Sequence, residues 1–209
     1  MNGDRLRQVL DRVMASLQDG KEEFRRLDAA IGDGDLGVTI DQGAMAVRES
    51  LTALEEGSSV ADTVSAAARA FTTANPSTFS ALVGGGSLRA AATLGNDPVD
   101  LADAVRFSRA LYDTVAAKGK AARGDKTLLD ALGPAVEALE AAVGGGISAA
   151  QAIDATVDAA REGVDRSTPM VSVQGRARWI GERTRGNADP GAVVVLRFLE
   201  AWRDAHETG

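Results

Sequence analysis

The chain has 209 residues, with 30 acidic and 23 basic side chains, so its formal net charge is −7. This length suits one large domain or two small ones with a buried core, and the acidic balance argues against a nucleic-acid or anionic-membrane surface. The sequence contains no cysteine and one histidine, His206. Disulfides, zinc–thiolate sites and most histidine chemistry are therefore excluded.

The first segment of the chain, MNGDRLRQVLDRVM, is charged throughout and carries no signal-peptide core. No apolar run approaches the roughly 18 residues that a membrane span requires. We therefore expect a cytoplasmic protein that contacts neither membrane nor nucleic acid.

Helical periodicity dominates the chain. From Leu6 to Leu17, apolar residues recur at i, i+3, i+4, i+7, i+8 and i+11, which predicts a first amphipathic helix. Similar apolar faces predict helices over residues 20–30, 38–55, 59–74, 99–118, 127–143, 148–165 and 190–206, with Ser58, Asp100 and Ser148 as N-caps. The one β-like stretch, MVSVQG, lies in the connection 166–188. The sequence thus predicts about eight helices in a single all-α domain spanning 1–209.

Between the second and third predicted helices lies the stretch LDAAIGDGDLGVT, in which Gly32, Gly34 and Gly37 have the spacing of a dinucleotide-binding loop. Such a loop must follow a buried strand, whereas a charged helix-forming segment precedes this one. A calcium-binding EF-hand loop fails as well. Counted from Asp33, it would need Gly at Val38 and Glu at Ala44.

Three aspartates in this stretch offer a different kind of site. Asp33 and Asp35 alternate with glycines that allow a sharp turn, and Asp28 ends the preceding helix. Carboxylates crowded in this way repel each other unless a cation joins them, and hard oxygen ligands suit Mg²⁺ or Ca²⁺. The alternative is that all three are ordinary turn and cap residues.

Glycine-rich corners recur further along the chain. VGGGS (83–87) is predicted to open a helix-forming stretch, so that its free N–H groups cradle a phosphate. GDKTLLDAL (124–132) is predicted to start another helix, and GRARWIGERTRGNADPGA (175–192) places several arginines before the last one. Together with the aspartates these corners indicate a metal–nucleotide site, although each alone has an ordinary role in joining helices or in solvated surface.

In combination, these motifs resemble the nucleotide-binding L subunit of dihydroxyacetone kinase, which also occurs as the C-terminal domain of single-chain kinases. The motifs that carry the resemblance are LDAAIGDGDLG, GGGS, GKAARGDKTLLDAL and GRARWIGERTRGNADPGA, and they extend over essentially the whole chain. The resemblance implies a helical barrel of eight antiparallel helices with the nucleotide site at one end. It also implies that Asp28, Asp33 and Asp35 hold two Mg²⁺ ions, which bridge the phosphates of ADP or ATP.

Residue by residue, the resemblance implies a set of nucleotide contacts and several departures from the family pattern. The implied contacts are Leu36, Gly37, Val38, Thr39, Gly86, Ser87, Gly119, Leu128, Arg176, Asp189, Pro190 and Gly191. Leu36 stands where the family usually has histidine, and Leu88 where it has glycine. Leu128 stands where the family usually has methionine, Thr39 where it often has asparagine, and Gly86 where it has alanine. The first two departures affect the surroundings of the phosphates, and so bear on substrate identity more than on metal binding.

The resemblance also implies a function shared with a partner. In the family, a separate K subunit holds the ketone covalently on a histidine, so this chain is expected to be the phosphoryl-transfer half of a kinase. The resemblance allows two phosphoryl donors. One is ATP that exchanges freely, and the other is a phosphotransferase-system M-type protein that rephosphorylates tightly bound ADP in place. A homodimer is a further option. The alternatives are a kinase for another small ketose such as erythrulose, a fatty-acid-kinase-like module, and a non-catalytic nucleotide-binding regulator.

Overall fold

The computed structural model describes residues 1–95 and 98–207, with the side chains of Arg176 and Glu207 outside that description. Over this part of the chain the protein has nine α-helices, two short 3₁₀ helices and no strand. The α-helices are α1 (Gly3–Asp19), α2 (Lys21–Ile31), α3 (Leu36–Thr52), α4 (Val60–Ala74), α5 (Thr78–Ala91), α6 (Leu101–Gly119), α7 (Leu129–Gly144), α8 (Ala149–Ser167) and α9 (Pro190–Glu207). The 3₁₀ helices are Arg176–Trp179 and Gly181–Thr184.

The α-helices close into a ring. In the described part of the chain, α1 packs on α3, each helix from α3 to α9 packs on the next, and α9 returns to α1. Short connections such as residues 145–148 make consecutive helices antiparallel neighbours. Helix α2 lies outside this eight-membered ring and packs against α3 and α9. The predicted all-α fold is therefore confirmed.

The main core lies where α1, α3, α8 and α9 meet. All six apolar positions of the predicted stripe on α1 are buried: Leu6, Val9, Leu10, Val13, Met14 and Leu17. Phe24 from α2 and Ile40 from α3 are both fully buried against the same cluster. A second cluster joins Val115 of α6 to Leu129 and Val136 of α7, and Phe79 at the start of α5 contacts both clusters.

Helix α5 is the element that the sequence analysis missed. It begins at Thr78, behind a capping box between Ser77 and Ser80. The glycines of VGGGS therefore lie inside the helix, and the prediction that this stretch opens a helix was wrong. Inside an α-helix, those N–H groups bond carbonyl oxygens one turn back. Each glycine costs a helix about 1 kcal/mol, and tertiary packing overrides that preference here.

The remaining boundaries mostly follow the predicted signals. Asp100 and Ser148 cap α6 and α8 as predicted, but Ser59 rather than Ser58 caps α4, since its side chain accepts the Asp62 N–H. The β-like stretch MVSVQG forms no strand and leads into the first 3₁₀ helix. Among the described residues, none of the helices combines the length and apolarity that a membrane-spanning segment requires.

Candidate metal and nucleotide site

The three aspartates of the GDGD turn lie together. Asp28 is in the last turn of α2, Asp33 is in the turn, and Asp35 is the residue before α3. One carboxylate oxygen from each lies within 4.8 Å of the others. A positive φ of 78° at Gly34 reverses the chain, and a Cβ on Gly32 would stand 2.5 Å from Asp28 Oδ1. The glycine spacing thus permits the crowding that the sequence analysis predicted.

Asp35 is affected by its surroundings in this cluster, although its side chain and that of Asp33 are exposed. Burial, and then the nearby charge of Asp28, raise the pKa of the Asp35 carboxyl above its usual value. Asp28 is held in place because its Oδ2 accepts the N–H of Leu36, 3.2 Å away, at the start of α3. A divalent cation bound by these oxygens would relieve the repulsion, and the donor set consists of the hard oxygen ligands that Mg²⁺ and Ca²⁺ prefer.

The first turn of α3 presents backbone rather than side chains. Leu36 is 7% exposed and packs in the main core, and Thr39 is 2% exposed. Gly37 is buried against α2, since a Cβ there would lie 2.5 Å from the Lys21 carbonyl oxygen. The Val38 side chain is exposed. The side chains of Leu36 and Thr39 are buried, and their N–H groups donate to Asp28 Oδ2 and to the Asp35 carbonyl oxygen. Leucine in place of histidine at position 36 therefore serves the core.

The Asp189-Pro190-Gly191 turn starts α9 and lies close to the acidic cluster. Asp189 Oδ2 accepts the Ala192 N–H at 2.8 Å, so this side chain caps the helix. Burial raises the pKa of the Asp189 carboxyl to about 7, and the charges of Asp130 and Asp28 add to the increase. The bond from Ala192 and the charge of Lys126 act in the opposite direction. The turn is thus electrostatically coupled to Asp28.

Three helix starts meet beside this turn. A Cβ on Gly191, at the start of α9, would lie 3.4 Å from Leu128 Cβ, just before α7, and 3.5 Å from Phe79 in the first turn of α5. The start of α3 is linked to the same region through Asp28. Unbonded N–H groups and helix dipoles make each helix start favourable for anions. One end of the ring therefore combines positive helix ends with a carboxylate cluster.

The remaining predicted nucleotide contacts lie at the end of α6, within α5 and in the first 3₁₀ helix. Gly119 ends α6, where a Cβ would lie 3.6 Å from Leu82, and Leu82 packs on the cluster that contains Leu128. Gly86 is buried between helices, since a Cβ there would stand 2.8 Å from Leu111 of α6. Ser87 lies in the same helix interior. The backbone of Arg176 begins a 3₁₀ helix, and its side chain lies outside the described part of the chain.

Two residues near this site were not predicted from the sequence. Lys126 is 1% exposed, and its Nζ donates to the carbonyl oxygens of Thr168, Met170 and Thr184. Asp130 is also buried, and its carboxylate accepts the N–H groups of Gly124 at 2.6 Å and Thr127 at 2.8 Å. Both lie in the GDKTLLDAL motif. A lysine in a charged, glycine-containing loop has the sequence signature of a solvated residue, so nothing local reveals its burial.

A ring of α-helices with an acidic cluster among the helix starts at one end defines a helical-barrel domain suited to a cation and an anionic ligand. Residues 30–204 match the DAK2 domain family, and the chain belongs to that family. A D-erythrulose kinase from Mycolicibacterium smegmatis is 35% identical over 90% of this chain. This chain spans only 33% of the length of that relative.

A separate kinase subunit is also similar in sequence to this chain, and two solved structures share its fold. The ADP-binding subunit DhaL of the PEP-dependent dihydroxyacetone kinase of Escherichia coli is 31% identical, over 86% of this chain and 85% of its own length. The native crystal structure of the dihydroxyacetone kinase of C. freundii shares the fold at a TM-score of 0.74 and 24% identity, covering 95% of this chain and 34% of that one. The same kinase in complex with AMP-PNP and Mg²⁺ gives a TM-score of 0.70.

Proposed function

We propose that this chain is the nucleotide-binding, phosphoryl-transferring component of a dihydroxyacetone-type kinase. The observation that carries the proposal is the cluster of Asp28, Asp33 and Asp35 beside converging helix starts. Carboxylates alone suit a cation and helix starts alone suit a phosphate, so their combination suits a metal–polyphosphate. The names of the relatives support the same reading, since they are kinases and one is an ADP-binding subunit.

In this proposal the three aspartates hold two Mg²⁺ ions, which neutralise charge on the phosphates of ADP or ATP when bound. The N–H groups of Gly37 and Val38 at the start of α3 bind phosphate oxygens through the backbone, while the Leu36 N–H holds Asp28 in place. Leu128 and the Asp189–Gly191 turn form the wall next to them, with Gly119 and Arg176 closing the nucleotide pocket. Gly86 and Ser87 contribute by letting α5 pack closely beside that wall, in a role that differs from direct phosphate binding.

The acceptor ketone is held elsewhere in this proposal, on a separate K subunit. The one histidine of the chain, His206, lies near the end of α9, where its Nδ1 is 3.0 Å from the Trp202 carbonyl oxygen and its ring packs on the Trp202 ring. The proposed site is at the other end of the same helix. Sixteen residues at 1.5 Å each separate the two by roughly 24 Å. His206 is therefore too far away to hold a ketone for transfer.

The metal assignment is tested by Asp33→Asn and Asp35→Asn. Each variant removes one charged ligand from the cluster, so we expect Mg²⁺-dependent ADP affinity to fall at least about tenfold while the helical circular dichroism is unchanged. Isothermal titration with Mg-ADP measures the affinity. Asp154→Asn, at an exposed position on α8, makes the same charge change away from the site and is the control. Wild-type affinity and Mg²⁺ dependence in the two site variants would show that the cluster is not the metal site.

The partner requirement is tested with the purified wild-type chain. Alone with Mg-ATP it is expected to transfer no phosphoryl group to dihydroxyacetone, because its one histidine, His206, is too far from the proposed site to hold the ketone. Adding a K subunit with Mg-ATP, or with a phosphotransferase-system donor protein, is expected to start transfer. Sustained turnover by the isolated chain would contradict the proposal.

Erythrulose is the second candidate acceptor, because the D-erythrulose kinase relative shows 35% identity to this chain. Parallel assays with dihydroxyacetone and both enantiomers of erythrulose, at equal concentrations and with the same K subunit, compare the candidates through kcat/KM. The nucleotide site proposed for this chain is the same in either case. The preference is expected to follow the K subunit supplied, and a preference unchanged by exchanging K subunits would place specificity in this chain.

A further inference from the structure

The connection between α8 and α9 is closed at its base by one buried ammonium group. Lys126 Nζ donates to the carbonyl oxygens of Thr168 at 2.8 Å, Met170 at 2.8 Å and Thr184 at 2.6 Å. A lysine ammonium has three protons, and these three bonds use all of them. The side chain is 1% exposed. The base of the connection therefore forms an oxygen cage around a cation that the chain itself supplies.

The three carbonyls come from the two ends of one segment. Thr168 and Met170 follow α8, whereas Thr184 ends the second 3₁₀ helix, and Asp189 stands five residues later. Two backbone N–H groups reinforce the closure. Ser172 N donates to Thr184 Oγ1 at 2.9 Å, and Gly186 N donates to the Thr168 carbonyl at 3.0 Å. The segment 168–186, which carries both 3₁₀ helices, is thus a loop whose ends meet at Lys126.

Burial of the ammonium and the strained backbone at Lys126 are both unfavourable in free energy. This argues that the residue does more than fill space in the core. Burial of the ammonium lowers the pKa of Lys126, and only charged hydrogen bonds offset such burial. The residue also has a φ of 60°, in a region where glycine would be less strained. Lys126 is two residues from Leu128, which lies in the wall of the proposed site.

We propose that Lys126 is a positioning residue, an internal cation that closes the 168–186 loop and thereby holds the 3₁₀ helices and the Asp189–Gly191 turn beside the nucleotide. The effect on nucleotide affinity rests on the proposed function. The closure of the loop does not, so the two can be tested separately.

Lys126→Met keeps most of the side-chain volume and removes the ammonium. Lys120→Met is the matched control, because Lys120 lies with Lys126 in the connection between α6 and α7, also has positive φ, and is exposed. Amide hydrogen exchange is the first measurement. In Lys126→Met we expect exchange at Ser172 and Gly186 to rise at least tenfold, with the buried amides of α1 and α3 unchanged. Lys120→Met is expected to exchange like the wild type.

Titration with Mg-ADP is the second measurement, and we expect Lys126→Met to bind at least tenfold more weakly than Lys120→Met. If the Ser172 and Gly186 amides of Lys126→Met exchange at the wild-type rate, or if exchange rises equally in all helices, then Lys126 does not close the loop. If the Ser172 and Gly186 amides exchange faster but the affinity for Mg-ADP is unchanged, then the closed loop does not position the nucleotide site. Failure of the wild type itself to bind Mg-ADP would instead refute the proposed function, while the exchange data would still decide the closure.

Chemical rescue separates positioning from general stability. Lys126→Gly suits the backbone conformation and leaves a channel in the shape of the missing side chain, which n-butylammonium matches atom for atom. We expect n-butylammonium to restore slow exchange at Ser172 and Gly186, and ADP affinity with it. Tetramethylammonium has the same charge but no N–H group and is expected to restore neither. If Lys126→Met does not fold, the rescue of Lys126→Gly tests the proposal by itself. Equal effects of n-butylammonium and tetramethylammonium, or no effect of either, would overturn the proposal.

Discussion

Asp189 shows how the site sets the properties of a single residue. Its carboxyl caps α9 through the Ala192 N–H, a bond that favours the charged form, yet burial and the charges of Asp130 and Asp28 raise its pKa to about 7. Local sequence signals identify the cap, because an aspartate before a proline at a helix start is a common pattern. The altered pKa depends on residues far apart in sequence and could not be predicted from that pattern.

The raised pKa of Asp189 predicts how stability depends on pH. The folded protein holds this proton up to about pH 7, whereas an unfolded aspartate releases it near the usual value of 3.8. The folded state therefore loses stability as pH rises from about 4 to about 7. Asp189→Asn keeps an oxygen to cap Ala192 and cannot ionise. In metal-free buffer we expect its Tm to exceed that of the wild type at about pH 8, with a smaller difference at about pH 5. The same Tm difference between Asp189→Asn and the wild type at both pH values would contradict this expectation.

At the scale of elements, the glycines of α5 determine how closely three helices approach. A Cβ on Gly84 would stand 2.0 Å from Thr72 Oγ1 and 2.9 Å from the Ala68 carbonyl of α4, and one on Gly86 would meet Leu111 of α6 at 2.8 Å. Gly85 between them has only the end of the flexible Lys118 side chain nearby, at 3.3 Å. The motif therefore contains two packing glycines and one that packing does not require.

This difference predicts opposite outcomes for neighbouring substitutions. Gly85→Ala is expected to raise the free energy of unfolding by up to about 1 kcal/mol, because alanine is the better helix former. Gly84→Ala is expected to lower it by about 1–3 kcal/mol, since a Cβ forces α4 and α5 apart. Urea unfolding measures both. Equal stability of the two variants would show that close packing is not the reason for the glycine at 84.

At the scale of the whole molecule, helix α2 is the piece outside the ring, yet it carries Asp28. It is tied to α9 by Arg197, which donates to Glu23 through Nε at 3.0 Å and through one terminal nitrogen at 2.7 Å. The other terminal nitrogen bonds Glu200 at 2.7 Å. On the opposite side Lys21 pairs with Asp41 of α3 at 2.6 Å. These ion pairs fix how the acidic cluster is placed against the start of α9.

Loss of the Arg197 bridge is therefore expected to affect the site more than the fold. These side chains are partly exposed, so Arg197→Met is expected to lower the free energy of unfolding by only about 1 kcal/mol. With α2 less firmly docked, Mg-ADP affinity is expected to fall several-fold. Arg203→Met, which removes the pair with the adjacent Asp204 on the same helix, is the control. Equal affinities in the two variants would show that the bridge does not position Asp28.

Several features follow from the sequence because their causes are local. The apolar stripe of α1, the caps Asp100 and Ser148, and Pro190 at the start of α9 all lie where the pattern predicts them. The gathering of Asp28, Asp33 and Asp35 belongs to the same group, since a few residues and two glycines bring them together. The nucleotide contacts that the resemblance implies for Leu36 and Gly86 stay predictions, because a motif position does not say that the Leu36 side chain packs in the core or that α6 packs directly on Gly86.

The sequence by itself determined the class of fold and the gathering of the three aspartates in the acidic turn, because helix periodicity, capping and glycine turns act over a few residues. Only the tertiary structure decided that three glycines lie inside α5, that four helix starts are coupled at one end of the ring, and that Lys126 is buried. In each of these cases the deciding contact joins residues distant in the chain. Close packing outweighs the helix penalty of Gly84, and three carbonyls from beyond α8 offset the burial of Lys126.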